Sequence, residues 1–338
     1  MTGQRDWLAN IWRQRGLLAC LLWPFSLLYG LASALHRWLY QLGVFKVEQC
    51  NVPVIVVGNV VAGGAGKTPL VIALAKHLQQ QGLQVGVVSR GYGRQSENCL
   101  EVLENTPISE SGDEPAHILH ARTAPVFVAN RRIDAVRALL ERYPATQVII
   151  SDDGLQHHAM GRDIEIIVFD DRGIGNGWLL PAGPLRQPHN PGLEGPQLVL
   201  HTGQSPAFGG FASTRRLADC AVAADGTQVL LGDLTDRPVT ALAGIANPTA
   251  FFDMLKARGL HLARTISLPD HFDFLNYEVP VGDGATVLCT EKDAVKLFKM
   301  QRKEKIKLLA VPLEFEPEPA FLKAVDDLLQ PLIDNPAT

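Results

Sequence analysis

The chain has 338 residues, which is too long for one typical hydrophobic core and suits two α/β domains of ordinary size. Its formal net charge of −4 gives no electrostatic reason to expect a nucleic-acid partner. The five cysteines, at positions 20, 50, 99, 220 and 289, form no CxxC pair and no metal-ligand cluster. The sequence therefore predicts neither a disulfide framework nor a zinc site, as is typical of a reducing compartment.

The first segment, residues 1–47, is dominated by an uncharged apolar run from residue 16 to residue 35. A helix of this length spans about 30 Å, which is close to the hydrocarbon thickness of a bilayer. Trp12, Trp23 and Trp38 add rings favoured at a lipid interface, whereas Pro24 interrupts a clean span. A buried core helix and a signal peptide are the alternatives, although a nucleotide loop so close behind argues against cleavage. We predict a membrane-associated helix, and whether it spans the bilayer or lies on it stays open.

Residues 48–225 alternate short apolar runs with helical patterns, which predicts βαβ units around a mostly parallel sheet. Leu70, Val71, Leu74 and Leu78 recur at helical spacing and should face that sheet. Residues 173–210 are rich in Gly, Pro, Asn and Gln and are predicted to form a loop and crossover. The predicted strands are 52–57, 84–88, 125–128, 147–151 and 164–169, and the predicted helices are 67–80, 114–122 and 131–142.

A second, smaller α/β domain is predicted over residues 226–338, after a turn signal at Asp225 and Gly226. Its predicted strands are 238–245, 286–289 and 306–311, and its predicted helices are 248–258 and 291–299. The fold class is therefore α/β, with a P-loop NTPase-like, mostly parallel sheet domain, a second α/β domain and an N-terminal hydrophobic helix.

The stretch NVVAGGAGKTPL, Asn59–Leu70, reads as a phosphate-binding loop between a strand and a helix. Lys67 would reach the terminal phosphates of a nucleotide, and Thr68 would offer its hydroxyl to magnesium. Val61 stands where the usual pattern has its first glycine, but the remaining loop keeps the cradle. The alternative is a glycine-rich turn with a chance lysine. The residues predicted to contact the nucleotide are Gly63, Gly64, Ala65, Gly66, Lys67 and Thr68.

Two pairs of acids are candidates for chemistry near this loop. Asp152 and Asp153 follow the apolar run 147–151, as expected for residues that hold magnesium, although such a pair also caps turns. Asp113 and Glu114 stand at a predicted helix start, where a carboxylate could accept a hydroxyl proton. From the residues alone, simple helix capping is the favoured interpretation of that second pair.

The loop also discriminates among P-loop proteins. Ala62 occupies the position of the signature lysine used by partitioning and cargo-delivery ATPases, so that mechanism lacks its residue. Residues 290–293, TEKD, have the wrong order for the guanine motif NKxD of GTPases. A transfer enzyme and an atypical ATPase remain.

Several separated segments together resemble one family, tetraacyldisaccharide 4'-kinase of lipid A synthesis. The resemblance runs from the apolar segment to near the C-terminus and lies in the combination, in order, of GNVVAGGAGKTPL, SRGYGR, GDEP, ANRR, DDGLQH, LLPAGPLR, AGIANP, DHFDF and TEKDAVK. It implies transfer of the γ-phosphoryl group of ATP to the 4' hydroxyl of an acylated glucosamine disaccharide 1-phosphate, with Mg²⁺. The runners-up are a membrane-bound P-loop ATPase and a nucleotide-binding scaffold without turnover.

The resemblance also implies roles for individual residues. Asp113 becomes the general base, paired with His271, and Asp152 and Asp153 become magnesium-site residues. Arg131 and Arg186 become contacts to phosphate or substrate. The implied location is the inner membrane with the catalytic domains on the cytoplasmic side, the implied partners are the lipid A precursor and the bilayer, and no protein partner is inferred. Gln187 stands where the family often has glutamate, so no carboxylate role carries over there, and Ala246 stands where glycine is common.

Overall fold

The computed structural model describes residues 11–188, 196–203, 206–275, 277–300 and 306–335. The helices, numbered along the chain, are α1 (Leu17–Gln41), α2 (Lys67–Gln80), α3 (Ile108–Ser111), α4 (Asp113–His120), α5 (Arg132–Arg142), α6 (Pro248–Ala257), α7 (Glu291–Met300) and α8 (Pro319–Asp334). The strands are β1 (Val54–Gly58), β2 (Val85–Ser89), β3 (Leu100–Val102), β4 (Val126–Val128), β5 (Val148–Asp152), β6 (Ile164–Phe169), β7 (Gln197–His201), β8 (Phe211–Leu217), β9 (Cys220–Val222), β10 (Gln228–Leu230), β11 (Val239–Ala243), β12 (Leu262–Ser267), β13 (Thr286–Thr290), β14 (Lys307–Val311) and β15 (Leu313–Pro317).

The chain forms two compact units. The first comprises the residues up to Thr214 together with those from Glu316 onward, and the second comprises Arg215–Phe315. This division differs from the predicted boundary near Asp225. Asp225 and Gly226 form the turn between the antiparallel strands β9 and β10, so this turn lies inside the second unit. The predicted second domain also included the C-terminal helix α8, which belongs to the first unit.

The first unit is built on a nine-stranded sheet in the order β15-β8-β7-β6-β1-β5-β2-β4-β3. The strands from β8 to β4 in that order are parallel, and β3 is antiparallel at one edge. Strands β1, β2, β5 and β6 are buried along their whole length, which is why they read as continuous apolar runs. Leu70, Val71, Leu74 and Leu78 of α2 are fully buried, which confirms their predicted orientation.

The N-terminal helix α1 has two unlike sides. Ala19 and Ser26 are buried on a narrow stripe, whereas most of its large apolar side chains are exposed. Among the described residues, α1 is the helix long and apolar enough to cross a membrane. The exposed apolar side chains of α1 include Leu17, Leu21, Trp23, Phe25, Leu28, Leu31, Leu35 and Trp38.

The second unit has a six-stranded sheet in the order β10-β9-β14-β13-β11-β12. Strands β14, β13, β11 and β12 are parallel, as the alternating pattern predicts, and the β9–β10 hairpin adds antiparallel strands at one edge. Helix α6 covers this sheet with Phe251, Phe252 and Leu255 buried.

The predicted elements match the observed ones closely where periodicity is strong. Helix α2 and strand β6 have the predicted bounds, and the other predicted helices and strands differ by a few residues at their ends. The prediction of a loop for residues 173–210 is wrong at Gln197–His201, which is strand β7 of the larger sheet. The Gly and Pro residues on either side of this short apolar run obscured it.

Candidate active site

The glycine-rich loop follows β1, which lies in the middle of the larger sheet between β5 and β6. Strands after β1 in the chain lie on both sides of it, so the sheet has its topological switch point there. In open α/β sheets, ligands bind at the carboxyl edge at such a point. The candidate motifs after β2, β4 and β5 open onto this same edge, since those strands are parallel to β1 or to its neighbour.

The loop has the backbone geometry of an anion site. Gly63 has φ 99° and Gly66 has φ 82°, which a side chain would strain, and helix α2 begins directly after Gly66. In the described part of the chain, no hydrogen bond is donated by the backbone N–H groups of residues 63–66. Free N–H groups at a helix N-terminus attract a phosphate group, and this loop therefore offers a site for one.

The surroundings of Val61 explain why the loop departs from the usual motif at this position. Its side chain is buried, and its backbone forms an antiparallel bridge with Leu185. The neighbouring Ala62 N–H donates to the carbonyl of Pro184 at 2.8 Å. The position is thus part of a short extended pairing, where a β-branched residue packs well.

Lys67 is held by two oxygen atoms inside the site. Its Nζ donates to Asn59 Oδ1 at 3.2 Å and lies 3.4 Å from Asp153 Oδ1. Asn59 in turn donates to the carbonyls of Val61 and Gly63 at 2.6 and 3.0 Å. Lys67 and Thr68 are both buried. The buried ammonium group is therefore fixed beside the loop by partners that a phosphate group could replace.

Asp152 is the more deeply buried of the two strand-end acids. Burial raises its pKa to about 7, and the negative charges of Glu114 and Asp153 add to this effect against Lys67 and Arg132. Ser89 Oγ lies within hydrogen-bonding distance of its Oδ2 at 3.4 Å, whereas Oδ1 has no hydrogen-bond partner in the described part of the protein. A carboxylate with an unused buried oxygen atom next to other acids is suited to a cation.

Asp153 is surrounded by cations. Burial opposes its charge, but Lys67, Arg186 and Arg132 outweigh it, so the pKa of Asp153 is lowered. Arg186 Nη1 lies 3.6 Å from Asp153 Oδ1, and Arg132 Nη2 donates to the backbone carbonyl of Asp153 at 2.9 Å. Asp153 also has φ 47°, a conformation that non-glycine residues rarely adopt and that is often found at functional sites.

Comparison with known proteins identifies one family. A family model for tetraacyldisaccharide-1-P 4'-kinase, LpxK, matches residues 18–330. The chain belongs to this family. Tetraacyldisaccharide 4'-kinase of Polaromonas naphthalenivorans (strain CJ2) is 64% identical over 97% of this chain and 96% of the relative. The enzyme of the same name from Polaromonas sp. (strain JS666 / ATCC BAA-500) is 63% identical over 96% of each chain.

A solved structure has the same fold. It is LpxK from Aquifex aeolicus, crystallised in complex with ATP, with a TM-score of 0.76 and 30% sequence identity over 93% of this chain and all of that one. The α/β fold class, the P-loop architecture and the family resemblance deduced from sequence are thereby confirmed.

The two arginines predicted from the LpxK family motifs lie in different surroundings. Arg186 is at the site, as described above. Arg131 is largely exposed, and its guanidinium pairs with Glu48 and lies 3.7 Å from Asp134 Oδ1. Its neighbour Arg132 is the buried one of the pair, next to Asp152 and Asp153. Gln187 accepts a hydrogen bond from Gln156 at 3.3 Å.

The acids of GDEP begin helix α4. Gly112 has φ 86° and approaches Gly91 closely, so a Cβ atom there would lie 3.0 Å from the Gly91 backbone. The following Asp113 is buried. Glu114 is near enough to Asp152 to raise the pKa of that carboxyl group. The start of α4 therefore lies at the edge of the sheet that carries the magnesium candidates.

His271 lies in the second unit, among the residues of the DHFDF and TEKDAVK segments. Lys292 Nζ donates to Asp270 Oδ1 at 2.9 Å and lies 3.5 Å from His271 Nε2. The φ of His271 is 60°, a further non-glycine residue in the left-handed region. The backbone conformation of His271, which sequence could not reveal, is typical of functional residues.

Three residues of the site were not among the sequence candidates. Asn59 directly follows β1 and orders the loop. Arg132 directly follows Arg131, which was the predicted contact to phosphate or substrate. Arg172 Nη2 donates to the carbonyl of Gly64 at 2.7 Å, and its side chain also pairs with Asp170. The position of Asp170, directly after β6 at the same sheet edge, was the signal available for this contact.

Proposed function

We propose that this protein transfers the γ-phosphoryl group of ATP to the 4' hydroxyl of a tetraacylated glucosamine disaccharide 1-phosphate. The observation that carries the proposal is the cluster of Lys67, Asp152 and Asp153 beside an open phosphate loop, in a chain of the LpxK family. Phosphoryl transfer depends mainly on positioning and on neutralising charge, and this edge of the sheet supplies both.

Asp113 acts as the general base that accepts the proton of the 4' hydroxyl, and His271 tunes its basicity. Support comes from the buried start of α4 and from the left-handed backbone of His271. Asp113 belongs to the first unit and His271 to the second.

Thr68, Asp152 and Asp153 would hold Mg²⁺. The unused Oδ1 of the buried Asp152 fits this assignment, and Mg²⁺ is usually bound through one or two carboxylates plus phosphates rather than by a complete protein cage. When bound, the ion would neutralise charge on the transferred phosphoryl group. Lys67 and Arg186 add fixed positive charge, and Asn59 keeps the Lys67 ammonium oriented. Arg131 remains a predicted substrate contact, and in this structure its guanidinium group pairs with Glu48.

The decisive experiment uses γ-labelled ATP and lipid A precursor in mixed micelles. We expect label in the lipid and little in free phosphate. Label found only as inorganic phosphate would instead identify a membrane-bound ATPase. The Lys67→Ala variant controls for contaminating kinases, because its loss of lipid labelling ties the product to this site.

The enzyme works at the cytoplasmic face of the inner membrane with α1 lying in the interface. Polar contacts run from Ser26 and Tyr29 of α1 to residues 179–186 of the first unit, and Tyr40 packs near His158 at a ring distance of 6.0 Å. These contacts along one side of α1 favour a helix that stays on the first unit over one that crosses the bilayer. Its remaining sides are apolar and suit the boundary between headgroups and acyl chains. An acylated acceptor stays in that layer, since each buried methylene resists transfer to water by about 0.8 kcal/mol.

Flotation with liposomes tests this placement. Replacing Leu21, Leu28 and Leu31, all exposed, by serine should abolish co-flotation because the apolar face is lost. A matched triple replacement of the exposed Leu103, Leu230 and Leu275 away from α1 should leave co-flotation unchanged. Equal loss in both variants would contradict α1 as the membrane contact. In sealed vesicles, protection from an added protease on one side of α1, with cleavage on its other side, would show a span instead.

A further inference from the structure

Residues 179–186, the LLPAGPLR segment, lie between the apolar helix and the phosphate loop. On one side the segment bonds to α1, and on the other it pairs with residues 60–62. The proposed placement of α1 in the membrane interface uses these contacts only to hold the helix on the first unit. The segment therefore connects the apolar helix to the start of the phosphate loop.

On the helix side, two hydroxyl groups of α1 reach the segment. Ser26 Oγ donates to the carbonyl of Leu179 at 2.8 Å and accepts from the N–H of Ala182 at 2.9 Å. Tyr29 Oη donates to the carbonyl of Arg186 at 2.8 Å. Ser26 is buried in the middle of a largely exposed apolar helix. These polar groups are thus used for a defined docking geometry and not for solubility.

On the loop side, the segment forms a short ladder with the start of the phosphate loop. Arg186 N–H donates to the carbonyl of Val60 at 2.7 Å, and Ala62 N–H donates to the carbonyl of Pro184 at 2.8 Å. The peptide groups of Arg186 are therefore fixed on both sides, by Val60 through its N–H and by Tyr29 through its C=O. A shift of α1 would move the backbone from which the Arg186 side chain projects.

The side chain of Arg186 leads from this ladder to the charged centre. Its Nη1 lies 3.6 Å from Asp153 Oδ1, the same oxygen atom that lies 3.4 Å from Lys67 Nζ. The path from Tyr29 to Lys67 thus passes through one residue and one carboxylate. A misplacement of about 1 Å in such a site costs on the order of 100-fold in rate.

We infer that Tyr29 is a positioning residue that couples the membrane-bound helix to Arg186 and the phosphate loop. Docking of α1 on lipid then fixes the arginine for phosphoryl transfer, so the helix orients the site in addition to bringing it to the substrate. This inference rests on the proposed kinase activity. Tyr29 does not contact the reacting atoms, and its contribution is to turnover.

The test compares Tyr29→Phe with Tyr40→Phe in the full chain. Each change removes one hydroxyl group from α1 and keeps the ring, but only the first removes a bond to Arg186. We expect Tyr29→Phe to lower kcat about 10-fold in vesicles of phosphatidylethanolamine and phosphatidylglycerol that contain the lipid acceptor. Co-flotation and the KM for the lipid should stay within about twofold, because the apolar face is intact. Tyr40→Phe should match the wild-type protein.

A double variant locates the effect. If Tyr29 acts through Arg186, Tyr29→Phe should reduce kcat much less in an Arg186→Lys background than in the wild-type chain. Unchanged kcat in Tyr29→Phe, or equal fold losses in both backgrounds, would overturn the coupling. Wild-type transfer of label to lipid is measured in the same assay. Its absence would refute the proposed function, whereas an active wild type with an unaffected Tyr29→Phe would refute the coupling alone.

Discussion

Both units contain a parallel strand followed by a turn and a helix, but the two turns are used differently. After β1, the N–H groups of residues 63–66 donate no hydrogen bond within the described part of the protein. After β11, Gly244 N–H donates to Asp293 Oδ2 at 2.9 Å, and Thr290 Oγ1 donates to the same oxygen atom at 2.7 Å. The second unit thus supplies its own buried carboxylate where the first leaves room for a phosphate. Strand-to-helix geometry alone does not make an anion site; unused donors do.

The largest effect should follow the loss of Asp113. Replacing it by alanine removes the proposed general base, and we expect turnover to fall about 1,000-fold, within the range for such groups. ATP affinity should change little, since Asp113 is proposed to act on the acceptor. Lipid labelling and nucleotide binding by fluorescence titration would measure the two quantities. Near-normal turnover would show that the role is wrong, and Glu110→Ala, an exposed acid nearby, provides the control.

Lys67→Ala tests whether the turn after β1 serves a ligand. Within the described part of the chain the Lys67 ammonium group contacts Asn59 and Asp153, so we expect its loss to lower kcat/KM for ATP about 100-fold. The free energy of unfolding should change less than it would on the loss of a buried hydrogen-bond network. The matched change is Lys76→Ala, an exposed lysine on the same helix, which should retain activity. Equal activity of the two variants would remove the distinction between the two turns.

Asp293→Ala is the reciprocal change in the second unit. It leaves the Gly244 N–H and the Thr290 hydroxyl without their buried acceptor, so we expect a loss of about 2 kcal/mol in the free energy of unfolding. Urea denaturation would measure it, with the exposed Asp253→Ala as control. Binding of ATP should be unchanged. Weaker ATP binding with unchanged stability would mean that the turn after β11 also serves a ligand.

The smallest effect concerns pH and arises from two histidines of the first unit. Burial and nearby arginines lower the pKa of His157 and His158 to about 4 each. Below the unfolded value of about 6.5 the unfolded chain binds protons that the folded chain does not, so stability is lost as pH falls from about 6.5 to 4. Partial exposure reduces the effect, and we expect Tm to fall by about 2–4 °C between pH 7 and 5.5. His158→Asn should make that dependence shallower, and an unaltered slope would exclude this histidine as its source.

Local chemistry made much of the first unit predictable. Gly66 before Lys67 and the spacing of Leu70 and Leu74 defined helix α2 with its observed bounds. The loop, the strand-end acids and the family were likewise readable from contiguous segments. Asn59 and Arg132 were not, because a side chain's burial and partners depend on neighbouring strands. The return of α8 to the first unit depends on contacts such as that between Phe211 and Phe321, whose rings lie 5.6 Å apart and which no local pattern encodes.

The way the chain leaves and re-enters the first unit matters during protein synthesis. Strand β8 leads into the second unit, and its neighbour β15 is translated only at the end of that unit. At 5–20 residues per second, β8 waits on the order of ten seconds on the ribosome as an open sheet edge without α8 over Phe211. A nascent chain arrested before residue 313 should therefore be bound by chaperones and cleaved readily, and release of the last helix from the exit tunnel should end both.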